Sequence, residues 1–295
     1  MASLAKISLS TAGSPDLSLA PEKQRSLLTR LAALDSLLVA LSGGADSAYL
    51  AWAAHCAIGE RALSVTALSA SFSAHDRQQT ETFVRHTGIR HEFVRTAELE
   101  NPLYVSNNSD RCYFCKAELF TELGRMAERR GFAALAYGIN ADDTQDFRPG
   151  HRAAAEHQVL APLLEARLSK AEIRALSREA GLPTWDRPAS ACLASRIPYG
   201  TAVTRETLAR VEAGESVLRE LGFRQFRVRY YGSHARVEID RSELPRACQP
   251  EVLRVMEERL ARVGFSSVLV DPEGYRQGSL NQELAGRNQP SRNED

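Results

Sequence analysis

Leu37-Leu-Val-Ala-Leu-Ser-Gly-Gly-Ala-Asp-Ser47 is the stretch whose reading decides the fold. Its first five residues, Leu37 to Leu41, are a continuous apolar run, as in a strand covered on both faces. The glycines then turn the chain, and Ala48 to Ile58 continues as an apolar helix. A strand that passes through glycines into a helix start is a phosphate-binding device. Glycine lets the backbone approach an anion closely. The first N–H groups of the helix point at that anion, and the helix dipole favours negative charge there. Ser42 and Ser47 add hydroxyl donors, and Asp46 suits a Mg²⁺ that bridges phosphates. No lysine follows the glycines, so the loop is not of the G-x-x-x-x-G-K-[ST] type. The competing reading is a Ser/Gly turn that merely caps a helix.

Working outward, a helix is expected from about Glu22 to Leu34, before the first strand. Further strands are expected at Ala62–Ala70, His91–Arg95 and Ala133–Tyr137, with helices at Arg77–Thr87 and Glu118–Arg130. Ser169 with Glu172 forms a capping box that opens another helix. Strands alternating with helices predict an α/β fold with a parallel sheet and ligands at the carboxyl ends of its strands. Gly138 and Asn140 stand at such an end. After about residue 200 the pattern becomes a helix from Thr204, two strands (Phe223–Tyr231 and His234–Asp240), a helix (Glu251–Val263) and a short strand (Ser267–Val270). The expected organisation is a mobile N-terminus (1–20), an α/β nucleotide domain (21–200), a small α+β domain (201–280) and a mobile tail (281–295).

Hydrophobic residues make up 43% and charged residues 25%, the proportions of a globular protein. No apolar run reaches the ~20 residues of a membrane span, and the N-terminus lacks the order of a signal peptide. A cytoplasmic protein with no membrane partner is therefore expected, with its thiols reduced. The formal net charge of zero argues against a broad nucleic-acid surface.

There are five cysteines. Cys56 reads as a small core residue, and Cys248 takes no role. Cys112-Tyr-Phe-Cys115 is a CxxC, expected on a tight turn, and Cys192 follows in Pro188-Ala-Ser-Ala-Cys-Leu-Ala-Ser-Arg-Ile-Pro198. Two such cysteines do not make a self-contained Cys₄ zinc knuckle. Three readings stay open: a [4Fe–4S] cluster with one open iron that could carry sulfide, a redox or zinc pair, and buried thiols.

The hairpin after Phe223 suggests an anion site. If Gly232-Ser233 is a type II′ turn, Tyr231 opposes His234, Arg229 opposes Arg236 and Arg227 opposes Glu238. Opposed like charges destabilise a pair, so an anion between the arginines is expected, such as a nucleotide phosphate. A solvated face with splayed arginines is the alternative. The seven histidines show no metal-ligand spacing.

In order along the chain stand Cys112-Tyr-Phe-Cys-Lys116, Tyr137-Gly-Ile-Asn-Ala-Asp-Asp143, Asp146-Phe-Arg-Pro-Gly150, Ala191-Cys-Leu-Ala-Ser-Arg-Ile-Pro-Tyr-Gly200 and Phe223-Arg-Gln-Phe-Arg-Val-Arg229. The Ser42–Ser47 loop resembles the SGGxDS loop of the PP-loop ATP pyrophosphatases. Taken together these segments closely resemble the LarE family of ATP-dependent sulfur transferases, over about residues 22–280.

The resemblance implies a PP-loop parallel sheet with helices on both faces. It implies that ATP and Mg²⁺ adenylate the carboxylates of pyridinium-3,5-biscarboxylic acid mononucleotide, which become thiocarboxylates, in nickel-pincer cofactor synthesis for lactate racemase. Ser42, Gly43, Gly44, Asp46, Ser47, Gly138, Asn140 and Arg148 are then candidates for ATP. Arg227, with Ser195, Arg196 and Arg229, is a candidate for the substrate phosphate, and Glu215 with Glu238 for a second divalent metal. Cys192 is the implied catalytic residue. Members with all three cysteines are similar to [4Fe–4S]-dependent thiolases fed by sulfide, which is the type expected here. In single-cysteine members the cysteine matching Cys192 gives up its own sulfur. A homo-oligomeric ring, such as a hexamer, is implied. A tRNA thiolase and a non-catalytic ATP- or iron-sensing module are the alternatives.

Overall fold

Leu37, Leu38, Val39 and Ala40 are all buried, so the strand they form is covered on both sides. In the computed structural model, which describes residues 17–145, 149–188 and 191–276, this is β1 (Leu37–Ala40). It lies between β2 (Ala62–Leu68) and β4 (Ala134–Tyr137), with β3 (His91–Arg95) outside β2. All three pairings are parallel.

In chain order the helices are α1 (Ala20–Ala32), α2 (Ala45–Ile58), α3 (Ala74–Thr87), α4 (Pro102–Val105), α5 (Arg111–Arg130), α6 (Pro149–Glu156), α7 (Pro162–Glu165), α8 (Lys170–Glu179), α9 (Arg205–Glu220), α10 (Leu244–Ala247) and α11 (Pro250–Arg262). Side-chain alternation along β1 sorts them onto two faces. Leu37 and Val39 join a core with Leu27 and Leu31 of α1, Tyr49 and Leu50 of α2, Phe83 of α3, and Ile173 and Leu176 of α8. Leu38 and Ala40 pack the other way, with Leu63, Val65 and Leu123 and Met126 of α5. The fold is thus α/β, with helices on both faces of a parallel sheet, consistent with the PP-loop class, plus a smaller C-terminal sheet.

That second sheet has the order β5-β6-β7, from β5 (Phe226–Tyr231), β6 (His234–Ile239) and β7 (Ser267–Val270). Val228, Val237 and Ile239 pack against Val217 and Leu218 of α9 and Met256 and Leu260 of α11. The hairpin has the expected register, with Arg229 opposite Arg236 and Arg227 opposite Glu238. Gly232 has φ 68°, whereas Ser233 is not among the residues of positive φ, as a type II′ turn requires. A third cluster joins the two sheets: Tyr104, Leu193, Ala194, Ile197, Val203, Leu208 and Val211, with Tyr230 and Cys115 packed on it.

Three local expectations need correction. The CxxC is not on a turn but in the first turns of α5, which starts at Arg111 rather than near Glu118. Buried Arg111 anchors that start through Asn107 Oδ1 and the Ala194 carbonyl, a tertiary contact that local pattern does not carry. Phe223 belongs to the helix ending rather than to a strand. Gly222 has φ 79°, and Phe223 N–H bonds back to the Leu218 carbonyl at 3.1 Å. Cys56 is exposed rather than in the core, because α2 turns Ala53 and Ala54 inward instead. The capping box at Ser169 and Glu172 forms as expected. Of the ends expected as mobile, residues 1–16 and 281–295 lie outside the described residues, whereas residues 17–20 lead through a turn into α1, which starts at Ala20. Among the described residues no helix is long and apolar enough to cross a membrane.

Candidate active site

The glycine loop sits at the carboxyl edge of the parallel sheet. Gly43 has φ 79°, and a Cβ there would stand 2.7 Å from Thr80 Oγ1, so glycine is required twice over. Ser42 N–H donates to Ser47 Oγ at 3.2 Å, and the two hydroxyls lie 3.0 Å apart. The N-cap of α2 is Gly44, with no side-chain cap. The first amide donors of α2 are thus left to an incoming anion. Gly138 is needed for a different reason. A Cβ on it would come within 2.7 Å of both Ser47 N and Ser47 Cα, so β4 presses against the start of α2.

Acidic and basic groups gather beside this loop. Asn140 Nδ2 donates to Asp46 Oδ2 at 3.0 Å. Burial, and then the charge of Asp143, push the Asp46 carboxyl above the usual range. Asp143, also buried, pairs with Lys170 at 3.0 Å. Two carboxylates that repel each other beside amide donors suit a Mg²⁺–phosphate group. Arg148 lies outside the described residues.

Cys192 is exposed, and the turn that bears it is held from within by guanidinium groups. Arg196 donates to the carbonyls of Ala191 and Cys192 and to Ser195 Oγ. Arg111 donates to the Ala194 carbonyl at 2.9 Å, and Arg229 to the Ser195 carbonyl at 2.7 Å. Arg196 and Arg229 each have a carboxylate counter-ion. Glu215 takes Arg196 at 2.7 and 3.1 Å, and also accepts from Val228 N–H at 3.3 Å. Glu238, with no exposed surface, takes Arg229 at 2.8 Å and Arg236 at 3.4 Å. The anion expected between Arg229 and Arg236 is therefore a carboxylate of the protein itself. Arg227 packs on Tyr275, and burial together with the charge of Arg196 lowers its pKa.

Leu193 N–H bonds to the Ser71 carbonyl at 2.9 Å, which fixes the Cys192 turn to the chain leaving β2. β2 neighbours β1, so the thiol and the glycine loop share one edge of the sheet. His75 feels the charges of Arg219, Asp76, Arg187 and Glu215. Burial, then Arg219, lowers its pKa.

Cys112 and Cys115, one helical turn apart, act electrostatically on each other, and Cys192 acts on Cys115. Burial first, then Cys192, pushes the Cys115 thiol up to about 12. Arg111 feels both Cys192 and Cys112. Among the described residues no group of three His, Cys, Asp or Glu side chains is arranged to hold a single metal ion. A [4Fe–4S] cube binds its cysteines at separate irons, and Cys115, which feels both Cys192 and Cys112, links the three thiols of such a donor set.

The four oxygens of Glu215 and Glu238 are a poorer match for a divalent ion. Each already accepts from a guanidinium, and a cation would have to displace Arg196, Arg229 and Arg236. Four residues of this region escaped sequence reasoning: Arg187, Asp76, Arg111 and Asn107. None sits in a motif, and each has a partner far off in the chain: Gly43 for Arg187, Arg187 for Asp76 and Ala194 for Arg111. Asn107 Nδ2 donates to the carbonyls of Ile197, Pro198 and Thr201.

No protein-family model matches the chain. It is 41% identical over 251 residues to an uncharacterized protein of Synechocystis sp., covering 85% of this chain and 94% of the relative. It is 33% identical over 267 residues to the pyridinium-3,5-bisthiocarboxylic acid mononucleotide synthase of Lactiplantibacillus plantarum, covering 89% of this chain and 95% of the relative. An uncharacterized protein of Methanocaldococcus jannaschii matches at 28% over 174 residues, 58% of this chain and 66% of that protein. Likeness to the synthase over nearly the whole of both chains agrees with the cysteine and arginine segments read above, and the chain belongs to the LarE family.

Proposed function

We propose that the chain is an ATP-dependent sulfur transferase that converts the carboxylates of pyridinium-3,5-biscarboxylic acid mononucleotide to thiocarboxylates. One observation carries the reading: an exposed Cys192 is anchored at the same sheet edge as an uncapped, glycine-led helix start. In this reading residues 21–200 activate the acid, and 201–280 help to hold the nucleotide substrate.

A carboxylate is a poor electrophile because oxide is a poor leaving group. Its oxygen attacks the α-phosphorus of ATP, pyrophosphate leaves, and an acyl adenylate forms. Sulfur then attacks the acyl carbon, the C–O bond to AMP breaks, and the thiocarboxylate remains. The α2 amides with Ser42 and Ser47 hold the triphosphate, and Gly138 and Asn140 border it. Asp46 and Asp143 would hold Mg²⁺, which relieves their mutual repulsion and neutralises phosphate charge. Ser195 Oγ and Arg227 offer the substrate phosphate a donor and a charge. Arg196 and Arg229 serve it through Cys192, by holding the turn.

Cys112, Cys115 and Cys192 would hold a [4Fe–4S] cluster, which would supply external sulfide as the nucleophile. Arg111 balances the thiolate charge. Glu215 and Glu238 act as counter-ions to the clamping arginines. The setting is a cytoplasmic homo-oligomer in nickel-pincer cofactor synthesis, with lactate racemase as the client.

Single-turnover assays with ATP, Mg²⁺ and the mononucleotide test this reading. Wild type should release pyrophosphate and form thiocarboxylate. Cys192→Ala should keep the first and lose at least about a hundredfold of the second. Nucleotide binding without α–β cleavage would instead leave a sensing module. Iron and sulfide analysis after anaerobic purification separates the sulfur sources. Iron lost from Cys112→Ala and Cys115→Ala supports the cluster, whereas loss of H₂S from Cys192 of the iron-free protein marks self-sacrifice.

A further inference from the structure

Five residues before Cys192, Arg187 reaches away from its own segment to the glycine loop. Its Nη1 donates to the Gly43 carbonyl, and its Nη2 pairs with Asp76 Oδ1 at 2.6 Å. Its side chain is only 12% exposed. Its own carbonyl is gripped in turn by Arg174 of α8, which also takes the Trp185 carbonyl at 2.9 Å. Asp76 is fixed as well, because Ser73 Oγ donates to it at 2.7 Å at the start of α3.

This geometry has a consequence for the phosphate site. A trans peptide points its C=O and the next N–H in opposite directions. With the Gly43 carbonyl held by Arg187, the Gly44 N–H points the other way, toward Ser42 Oγ at 3.5 Å, and sets that hydroxyl in the loop. Arg187 tethers the chain on one side of residues 189–190, which lie outside the described residues, and the Leu193–Ser71 hydrogen bond holds it on the other. Cys192 lies between these two anchors.

We propose that Arg187 is a positioning residue that locks the nucleotide loop and the Cys192 segment into one frame, so that sulfur meets the acyl adenylate before water does. Arg187 touches no reacting atom in this role. When the frame loosens, water attacks the acyl carbon, and the adenylate returns to carboxylate and AMP. Pyrophosphate is then released with no thiocarboxylate to show for it.

The proposal rests on the sulfur-transfer reading, and its test separates the two. In single turnover the ratio of thiocarboxylate to pyrophosphate should fall about tenfold in Arg187→Ala. In Arg187→Lys, which keeps one charged donor but not the fork, it should fall less. A merely structural role would lower both products together and leave the ratio alone. Amide exchange needs no acceptor substrate. ATP with Mg²⁺ should slow exchange at Leu193 in wild type, and at least about threefold less in Arg187→Ala. Should Arg187→Ala fail to fold, Arg187→Lys carries both measurements. A wild type without pyrophosphate release would overturn the sulfur-transfer reading and leave the exchange result to judge the frame. Wild-type ratio and wild-type protection in the variants would overturn the frame.

Discussion

The glycine loop and the Cys192 turn share one edge of the parallel sheet and are built in different ways. The loop takes a single guanidinium clamp, from Arg187 to the Gly43 carbonyl. It relies on glycines, two hydroxyls and a helix start left without a side-chain cap. The Cys192 turn is short and irregular, and its carbonyls are held by Arg111, Arg196 and Arg229. Those arginines come from a helix start, from the turn itself and from a hairpin strand. The difference teaches where each device draws its precision: one from backbone geometry, the other from buried ion pairs.

Breaking the arginine clamp should have the largest effect on stability. Glu238 is fully buried, and Arg229 is nearly so. Glu238→Ala would strand a buried guanidinium and should cost about 3–5 kcal/mol in urea unfolding. Thiocarboxylate formation should fall with it, as Arg229, the donor to the Ser195 carbonyl, loses the counter-ion that positions it. An unchanged unfolding midpoint would mean that water, rather than Glu238, compensates Arg229.

Crowding the glycine loop comes next. Gly138→Ala places a methyl group against backbone that cannot swing aside. It should cost about 1–3 kcal/mol and weaken ATP binding, while the Cys192 turn stays as it is. Titration with a non-hydrolysable ATP analogue reads the loss. Equal damage to both regions would show that they are one mechanical unit.

The smallest effect distinguishes the sheets by pH. Burial holds the imidazole of His91, on β3, down at about 4, next to Thr66 Oγ1 at 2.9 Å. The unfolded chain therefore binds that proton first, near its ordinary value of about 6.5. This contribution is intact above pH ~6.5, declines as pH falls, and is fully lost below ~4. Discounted for the partly exposed ring, it should amount to about 1 kcal/mol. His91→Gln should flatten the decline between pH 7 and pH 5 in urea midpoints.

Much of this was legible in the chain. The apolar run Leu37–Leu41, the glycines after it and the strand-helix alternation determined the parallel sheet and the place of the loop, because side-chain periodicity and glycine φ act within a few residues. The turn at Gly232 likewise set the hairpin register, since a two-residue loop admits only one pairing. Three things required tertiary structure: that Glu238 is the anion between Arg229 and Arg236, that Arg111 starts its helix by bonding to Ala194, and that Arg187 spans from the Cys192 segment to Gly43. Local pattern is blind to them, because a guanidinium selects its carbonyl or carboxylate by position in space, and burial then fixes the pair by removing water as a competitor.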